Sequence, residues 1–180
     1  MKDTIVVYYS NKGSNVYLAE KISRRLSCDI EEIRPRLNVF LLFLMNIHFG
    51  IKPLKNNLNE YKKVILCGPI WMGRFIPPLR SFVKKYHQSI NKLIFVTCCG
   101  SPDDKKNEKF GHGLVFKEVE SILKDKCVLC RAFPIALVLP DDKKDDADAF
   151  MKTRLTDENF KGKIQERFDN LIQQVSELTK

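Results

Sequence analysis

The turn SNKGSN, residues 10–15, is rich in groups that could hold an anion. It follows an apolar run at residues 4–9 and precedes a segment whose apolar residues recur at helical spacing. The N–H groups at the start of such a helix have no acceptor within it, and the helix dipole favours a negative charge there. The candidate residues of this turn are Ser10, Lys12, Gly13, Ser14 and Asn15. An ordinary helix cap by Ser14 or Asn15 is the alternative explanation.

The single glycine of this turn argues against two common phosphate motifs. A Walker loop requires GxxxxGK[ST], and the dinucleotide fingerprint requires three glycines in the pattern GxGxxG. The turn therefore favours a phosphomonoester over tightly bound ATP or NAD. We expect its backbone N–H groups to meet the charge of the phosphate without a dedicated arginine.

The loop GPIWMGRF, residues 68–75, carries the only tryptophan of the chain. A planar ligand could stack on this indole, and backbone groups of the neighbouring residues could bind the edge of the ligand. The candidates are Pro69, Ile70, Trp71, Met72 and Gly73. The alternative is a tryptophan that folds over the core. The turn TCCGSPDD, residues 97–104, could form a further wall of the same site through Thr97, Cys98, Cys99 and Gly100, although its sequence is less specific.

Each of these three turns follows a predicted strand in an alternating pattern of strands and helices. The predicted strands are residues 4–9, 28–33, 62–68, 92–98 and 134–140, and the predicted helices cover about residues 16–27, 38–49, 78–86, 114–123 and 160–178. This alternation predicts one α/β domain over residues 1–180, with three layers and a doubly wound five-stranded parallel sheet in the order 2-1-3-4-5. Its ligand crevice lies at the carboxyl ends of strands 1 and 3, where the winding reverses.

Together the three turns resemble those of the flavodoxin family. The family pattern YSxxGxT is matched by Tyr9, Ser10, Gly13 and Ser14, with Asn15 where threonine is common, and its TPIWWG loop is matched by GPIWMG. The following FIPPLRSFVKKY is similar to the family's PPPVRTFLEKY. The resemblance implies a flavodoxin-like fold that binds FMN, with the phosphate in the first turn. It further implies that Trp71 borders the isoalloxazine ring and that residues 97–100 close its other side.

The chain departs from the usual acidic electron-carrier flavodoxins. Its net charge is +9, which favours acidic partner surfaces. Cys98 and Cys99 stand where many relatives place an aromatic residue, so the flavin could be open to a substrate on that side. An insertion at residues 34–58 contains the apolar run NVFLLFLMNIHF, which is too short to span a bilayer. This run predicts a buried helix or a contact surface for a partner or a membrane.

Two functions stay open from these residues. An FMN-containing carrier would pass electrons between redox partner proteins. An FMN-dependent oxidoreductase, such as a quinone or NAD(P)H reductase or a protein like the flavodoxin-type protoporphyrinogen oxidase, would act directly on a small organic substrate. A scaffold relative without flavin is a third class. We predict no catalytic acid or base, because the flavin performs such chemistry itself. Of the three histidines, His112 could approach the turn after the fourth strand.

Other classes fit the sequence poorly. A receiver domain requires acidic residues after strands one and three, where this chain has Tyr9-Ser10 and Gly68-Pro69. A low-molecular-weight tyrosine phosphatase requires Cys-x5-Arg, whereas six residues separate Cys67 from Arg74. The basic residues are spread along the chain without an RNA-binding signature, so we do not expect a nucleic-acid partner.

The cysteines indicate a reducing compartment. Several of the six lie within apolar, strand-like runs, and MKDTIVVYYS does not resemble a signal peptide, so we expect a cytoplasmic protein. Cys127 and Cys130 form a CxxC spacing. A thioredoxin-type pair starts a helix, whereas CVLCRAF leads toward a strand. A zinc site would need a second such pair. We therefore predict neither a metal site nor a redox pair.

Overall fold

A computed structural model describes residues 1–11, 13–45, 50–143 and 146–178 of the chain. The strands are β1 (Lys2–Tyr8), β2 (Asp29–Glu32), β3 (Tyr61–Cys67), β4 (Ile70–Trp71), β5 (Arg74–Phe75), β6 (Lys92–Cys99) and β7 (Cys127–Pro134). The helices are α1 (Ser14–Leu26), α2 (Val39–Leu44), α3 (Pro77–Tyr86), α4 (His112–Leu123), α5 (Ala147–Lys152) and α6 (Lys163–Glu177).

Five of the strands form one parallel sheet in the order β2-β1-β3-β6-β7, and β4 and β5 form a separate antiparallel hairpin. Without the hairpin, this is the predicted order 2-1-3-4-5, and the predicted fold class is confirmed. The winding reverses between β1 and β3, so the crevice at their carboxyl ends is the place to look for a ligand.

The central strands are buried on both faces, as their continuous apolar runs predict. On one face, Val64, Leu66 and Phe95 belong to a core completed by residues of α3 and α4. On the other face, Ile65 and Ile94 belong to a second core completed by residues of α1 and α6. The sheet is therefore the middle layer of three, and its edges are β2 and β7.

The last strand of the sheet lies earlier in the chain than predicted. The sequence pattern placed it at residues 134–140, but β7 covers Cys127–Pro134, and Ile135–Val138 is a 3-10 helix. Because β7 pairs only with β6 among the strands of the described residues, its first five residues are only half-buried. An edge strand of this kind lacks the continuous apolar run that marked the central strands.

Two further elements differ from the predictions. The helix predicted at residues 38–49 is observed as α2, which ends at Leu44, and residues 46–49 lie outside the described residues. The second is the short helix α5, which is absent from the predicted elements and which the Asp146 side chain caps by accepting from the N–H groups of Asp148 and Ala149. In the part of the chain described, no helix is long and apolar enough to cross a membrane.

Candidate functional site

Two adjoining cavities lie at the carboxyl edge of the sheet, with volumes of about 1050 Å³ and about 230 Å³. Both are bordered by the same residues from the three predicted turns and from α5, namely Asn11, Ile70, Trp71, Cys99, Gly100 and Met151. The three turns that sequence analysis singled out therefore meet at one place. Both cavities are mostly apolar, and hydroxyl and amide side chains line part of the smaller one.

Among the described residues, the Gly13 N–H donates to the Ser10 hydroxyl at 3.3 Å, and the N–H groups that follow it at the start of α1 have no acceptor. The first hydrogen bond within α1 runs from the Tyr17 N–H to the Gly13 carbonyl oxygen, at 2.9 Å. The N–H groups of Ser14, Asn15 and Val16 precede it and therefore have no acceptor inside the helix. Gly13 adopts a φ of +100°, a conformation that residues with a side chain rarely adopt. A negatively charged group could bind to these N–H groups.

The side chains of Asn15 and Ser14 make hydrogen bonds to the backbone of other segments. The two polar atoms of the Asn15 carboxamide contact the backbone of Cys98, with Oδ1 accepting from its N–H at 2.8 Å and Nδ2 donating to its carbonyl oxygen at 3.1 Å. The Asn15 side chain is thus held on Cys98 while it also lines the smaller cavity, and its role as a donor to a ligand stays a prediction. The Ser14 hydroxyl accepts from the Leu155 N–H at 3.2 Å. Within the described residues neither side chain caps α1, so the alternative of an ordinary cap is wrong.

Ser10 and Ser14 nevertheless line the smaller cavity, together with Arg154. The guanidinium Nη1 of Arg154 donates to the carbonyl oxygens of Met151 and Thr153, at 2.8 and 2.6 Å, which holds it beside the cavity. A cation thus lies next to the free N–H groups of α1. The sequence predicts that the turn meets a phosphate charge without a dedicated arginine, and Arg154 is a cation beside the same cavity. It lies far along the chain from the turn and belongs to no motif, so no sequence signal identifies it.

Lys12, which was also predicted for this site, lies outside the described residues. Gly13 shapes the turn through its backbone and is absent from the lining of both cavities.

The tryptophan loop is a tight hairpin. Trp71 pairs with Arg74 across β4 and β5, and the two residues between them, Met72 and Gly73, have φ values of +50° and +66°. Two positive φ values are typical of a type I′ turn. A Cβ at Gly73 would lie 2.6 Å from the carbonyl oxygen of Lys109, so glycine is required by space as well as by conformation. The hairpin therefore packs closely on the loop before α4.

Trp71 both packs on the core and borders the cavities. Its indole is half-buried and meets the ring of Phe43 edge-on, with 5.4 Å between the ring centroids and an interplanar angle of 76°. The same side chain lines the larger and the smaller cavity. Pro69 lines the smaller cavity, Ile70 lines both, and Met72 and Gly73 line the larger one.

The third turn forms the opposite wall. Cys99 and Gly100 line both cavities and Cys98 lines the smaller one. Thr97 is fully buried, its Oγ1 donates to the Cys98 carbonyl oxygen at 3.4 Å, and it is not among the lining residues. Burial raises the pKa of the Cys98 thiol well above its usual range and that of Cys99 to about 12. Both thiols are therefore neutral at physiological pH, and neither is prepared to act as a nucleophile.

His112 does approach this turn, as the sequence suggested. Its Nδ1 lies 2.9 Å from the hydroxyl of Ser101, which also accepts from the His112 backbone N–H at 3.1 Å. Its Nε2 lies 3.9 Å from the carboxylate of Asp103, which pairs with Arg167. Burial lowers the pKa of His112, so the ring is neutral at physiological pH. These contacts attach the start of α4 to the turn that borders the cavities.

Exposed apolar side chains surround the larger cavity, and sequence analysis did not assign most of them to the site. Phe40 of α2, Phe110 and Met151 line it and are 62%, 55% and 62% exposed. Met72 of the hairpin lines it too. The cavity therefore opens through an apolar rim, to which the inserted helix α2 contributes.

Comparisons with known proteins agree with this architecture. A family model described as a flavodoxin domain matches residues 5–167. No curated protein matches the sequence significantly.

Among solved structures, a flavoprotein from Lactobacillus acidophilus NCFM in complex with FMN superposes with a TM-score of 0.60 at 16% identity, covering 73% of this chain and 93% of the other. A putative flavoprotein from Bacteroides eggerthii DSM 20697 has a TM-score of 0.56 at 17% identity, covering 73% and 87%. A short-chain flavodoxin associated with a non-canonical PDU bacterial microcompartment has a TM-score of 0.52 at 11% identity, covering 100% of both chains. At these identities the similarity is one of fold.

Proposed function

Because this chain belongs to the flavodoxin domain family, we propose that it binds FMN and carries electrons between redox partner proteins. The observation that supports FMN best is the junction of the two cavities. The smaller one borders free N–H groups of α1 and the cation of Arg154, and it adjoins a larger apolar one bordered by Trp71. FMN has two chemical parts that match these cavities, a phosphate and a flat ring.

The proposed phosphate site uses the hydroxyls of Ser10 and Ser14, the backbone of Gly13 and Asn15, and the guanidinium of Arg154. Lys12 remains part of this proposal by its position in the turn. The proposed ring site lies between the tryptophan hairpin and the third turn. Its walls are Pro69, Ile70, Trp71, Met72 and Gly73 on one side and Cys98, Cys99 and Gly100 on the other, with Thr97 supporting the second wall from behind.

When bound, FMN supplies the redox chemistry, since it accepts and donates electrons. The protein's own residues bind and orient it. The N–H groups of α1 and Arg154 offset the phosphate charge, and Trp71 offers an apolar, polarisable surface to the ring. The neutral thiols of Cys98 and Cys99 add no charge beside it.

The partner surface that we propose is the rim of the larger cavity. Phe40, Met72, Phe110 and Met151 are exposed there, and the chain as a whole carries a net charge of +9. A partner with an apolar contact patch and acidic surroundings would be attracted to such a surface. A membrane surface with anionic lipids has related properties and is the alternative partner. We place the protein, as one domain over residues 1–180, in the cytoplasm, a proposal supported by its six free cysteines.

One observation favours a second function, a direct FMN-dependent oxidoreductase. The larger cavity, at about 1050 Å³, slightly exceeds the range of about 300–1,000 Å³ that is usual for small-molecule sites. A cavity of this size has room for a small organic substrate beside a ring, and its rim is apolar. A quinone or a nicotinamide nucleotide is the substrate class that this alternative implies.

The decisive experiment begins with the visible spectrum of the purified full-length protein. Flavin absorption bands, and FMN released by heat, are expected. The FMN-loaded protein is then mixed anaerobically with NADH or NADPH, with and without a soluble quinone. A carrier keeps its yellow colour until a separate reductase is added, whereas an oxidoreductase is bleached directly. A colourless protein that takes up no added FMN contradicts both functions and leaves the flavin-free scaffold.

A further inference from the structure

The two cysteines of the CVLC segment lie on the same side of β7, which an ordinary strand would not allow. Residues three apart in a regular strand point to opposite faces of the sheet. Here the pairing with β6 shifts, because Leu93 pairs with Cys127 but the next residue, Ile94, pairs with Leu129. Val128 is the extra residue of a β-bulge, which is where such shifts occur.

The packing of the four residues confirms this shift. Cys127 and Cys130 both contact the core on the α3 and α4 side of the sheet. Val128 and Leu129, between them, both contact the core on the opposite side. In a CxxC pair at the start of a helix, the two thiols face each other. The bulge produces the same arrangement on a strand.

The resulting geometry is close. The Sγ atoms of Cys127 and Cys130 lie 3.6 Å apart, and both cysteines are free. Both are half-buried, and they lie on a strand that pairs on one side only. A small reactant can therefore reach them from solvent, while the other cysteines of the sheet, Cys67, Cys98 and Cys99, are buried.

We propose that Cys127 and Cys130 are a redox site that forms a reversible disulfide by exchange with a small-molecule disulfide. The Cys127 thiolate attacks one sulfur of the small disulfide, forms a mixed disulfide and releases one thiolate. The Cys130 thiol then loses its proton and attacks the Cys127 Sγ, which releases the second thiolate. Two protein thiols are oxidised to one disulfide, and one small disulfide is reduced to two thiols.

The contacts assign these roles to the two cysteines. Either thiol can be the donor in the contact between the two sulfurs, but the Leu129 N–H bonds to the Cys127 sulfur as well. These bonds lower the pKa of Cys127 against the opposing effects of burial and the Glu120 carboxylate. The same hydrogen bond, together with burial, raises the pKa of Cys130. Cys127 is therefore the attacking residue and Cys130 the resolving one.

This site is separate from the proposed flavin site. Cys127 pairs with Leu93 near the amino end of β6, whereas Cys99, which lines the cavities, is the last residue of β6. Six residues of strand separate the two positions, or about 20 Å at roughly 3.3 Å per residue. The inference does not depend on FMN binding.

The test follows both thiols on a single peptide. Trypsin cleaves after Lys126 and Arg131, so the peptide CVLCR contains the pair and no other cysteine. The full-length protein is equilibrated with mixtures of oxidised and reduced glutathione. Free thiols are then blocked in denaturant with N-ethylmaleimide, and the digest is analysed by mass spectrometry. We expect an unblocked CVLCR lighter by two hydrogens, a fall in free thiols from six to four, and full reversal by dithiothreitol.

Single variants test the mechanism. In Cys130→Ser, glutathione should stay attached to Cys127, because the resolving thiol is missing. In Cys127→Ser the contact between the two sulfurs is lost, but burial still raises the pKa of Cys130, so Cys130 should react with glutathione more slowly than Cys127 does in Cys130→Ser. Cys28→Ser is the matched control, since Cys28 is also half-buried, and it should behave as the parent does.

Two results would overturn the proposal. One is a CVLCR peptide that remains doubly blocked at every glutathione ratio while Cys28 becomes modified. The other is glutathione attached to both cysteines of the pair with no bond between them. Neither result bears on the visible spectrum of the protein, so failure here is distinguishable from failure of the flavin proposal.

Discussion

The Asn15 carboxamide forms two hydrogen bonds with the backbone of Cys98. Its Oδ1 accepts from the Cys98 N–H at 2.8 Å, and its Nδ2 donates to the Cys98 carbonyl oxygen at 3.1 Å. Asn15 is the second residue of α1 and Cys98 is near the end of β6, and both residues are buried. Residues of both elements line the smaller cavity. The pair therefore attaches the start of α1 to the end of β6 beside that cavity, and it uses both the donor and the acceptor of the amide.

Replacing Asn15 by Ala should lower the free energy of unfolding. The substitution leaves the N–H and the carbonyl oxygen of Cys98 without these side-chain partners, and an unsatisfied buried polar group costs about 1–3 kcal/mol. Urea unfolding followed by circular dichroism measures the change. Asn170→Ala, on the exposed side of α6, is the control and should change stability little. Equal stability of the two variants would show that the contact contributes nothing.

Replacing Arg154 by Gln should weaken the binding of FMN far more than that of riboflavin, because only FMN brings a phosphate to the smaller cavity. A hydrogen bond to a charged group contributes about 1.5–3 kcal/mol, or roughly a 10- to 100-fold change in Kd. Quenching of flavin fluorescence gives both constants. Arg25→Gln, at the exposed far end of α1, is the matched charge control. An equal loss for both flavins would place the phosphate elsewhere.

Replacing Trp71 by Ala should weaken FMN and riboflavin binding alike, since both molecules carry the ring. Loss of an aromatic contact costs about 0.5–1.5 kcal/mol beyond the lost apolar area, so a decrease in affinity of about ten-fold or more is expected. Trp71→Phe should retain most of the affinity. The same flavin titration applies, and an unchanged Kd in the Ala variant would remove Trp71 from the ring site.

Gly162 provides a control for a substitution of Gly73 in the hairpin. Their φ values are +66° and +61°, but a Cβ would meet the Lys109 carbonyl oxygen only at Gly73, with nothing within 4 Å at Gly162. Replacing Gly162 by Ala should cost about 1–3 kcal/mol, because a φ of 61° with a ψ of −132° is a conformation that residues with a side chain rarely adopt. Replacing Gly73 by Ala should cost clearly more, because backbone must also move. Identical unfolding midpoints in urea would mean that the loop before α4 adapts freely.

The buried His112 should make stability depend on pH. Its pKa is lowered in the folded state, so the unfolded state binds more protons just below pH 6.5. This contribution is complete above the unfolded pKa and is lost as the pH falls through 6.5 toward the folded value. Between pH 7 and pH 5 the parent should therefore lose stability more steeply than His112→Gln.

The exposed His87 provides the control for this measurement, since His87→Gln should follow the parent. Unfolding free energies from urea titrations at several pH values give the slopes. Parallel curves for the parent and His112→Gln would show that the burial of this ring does not control the response.

Local patterns in the sequence were sufficient for the sheet and for the position of the site. Apolar runs marked β1, β3 and β6, and the alternation with helices led to the strand order, because parallel strands need crossovers of one hand. The carboxyl ends of neighbouring strands then had to meet, which brought together the turn at residues 10–15 and the loop at residues 68–75. These inferences succeeded because each depends on neighbours in the chain or on a general rule of topology.

The amino-acid sequence thus determined the architecture, the flavodoxin family and the edge of the sheet where the three candidate turns meet. Only the tertiary structure decided which side chains are available and where. The Asn15 side chain is hydrogen-bonded to Cys98, and Arg154 lines the smaller cavity although it lies far along the chain. A bulge in β7 places Cys127 and Cys130 on the same side of the strand. Such contacts depend on how the helices and strands pack and on the register of the strands. Neither can be predicted from the local spacing of residues in the sequence.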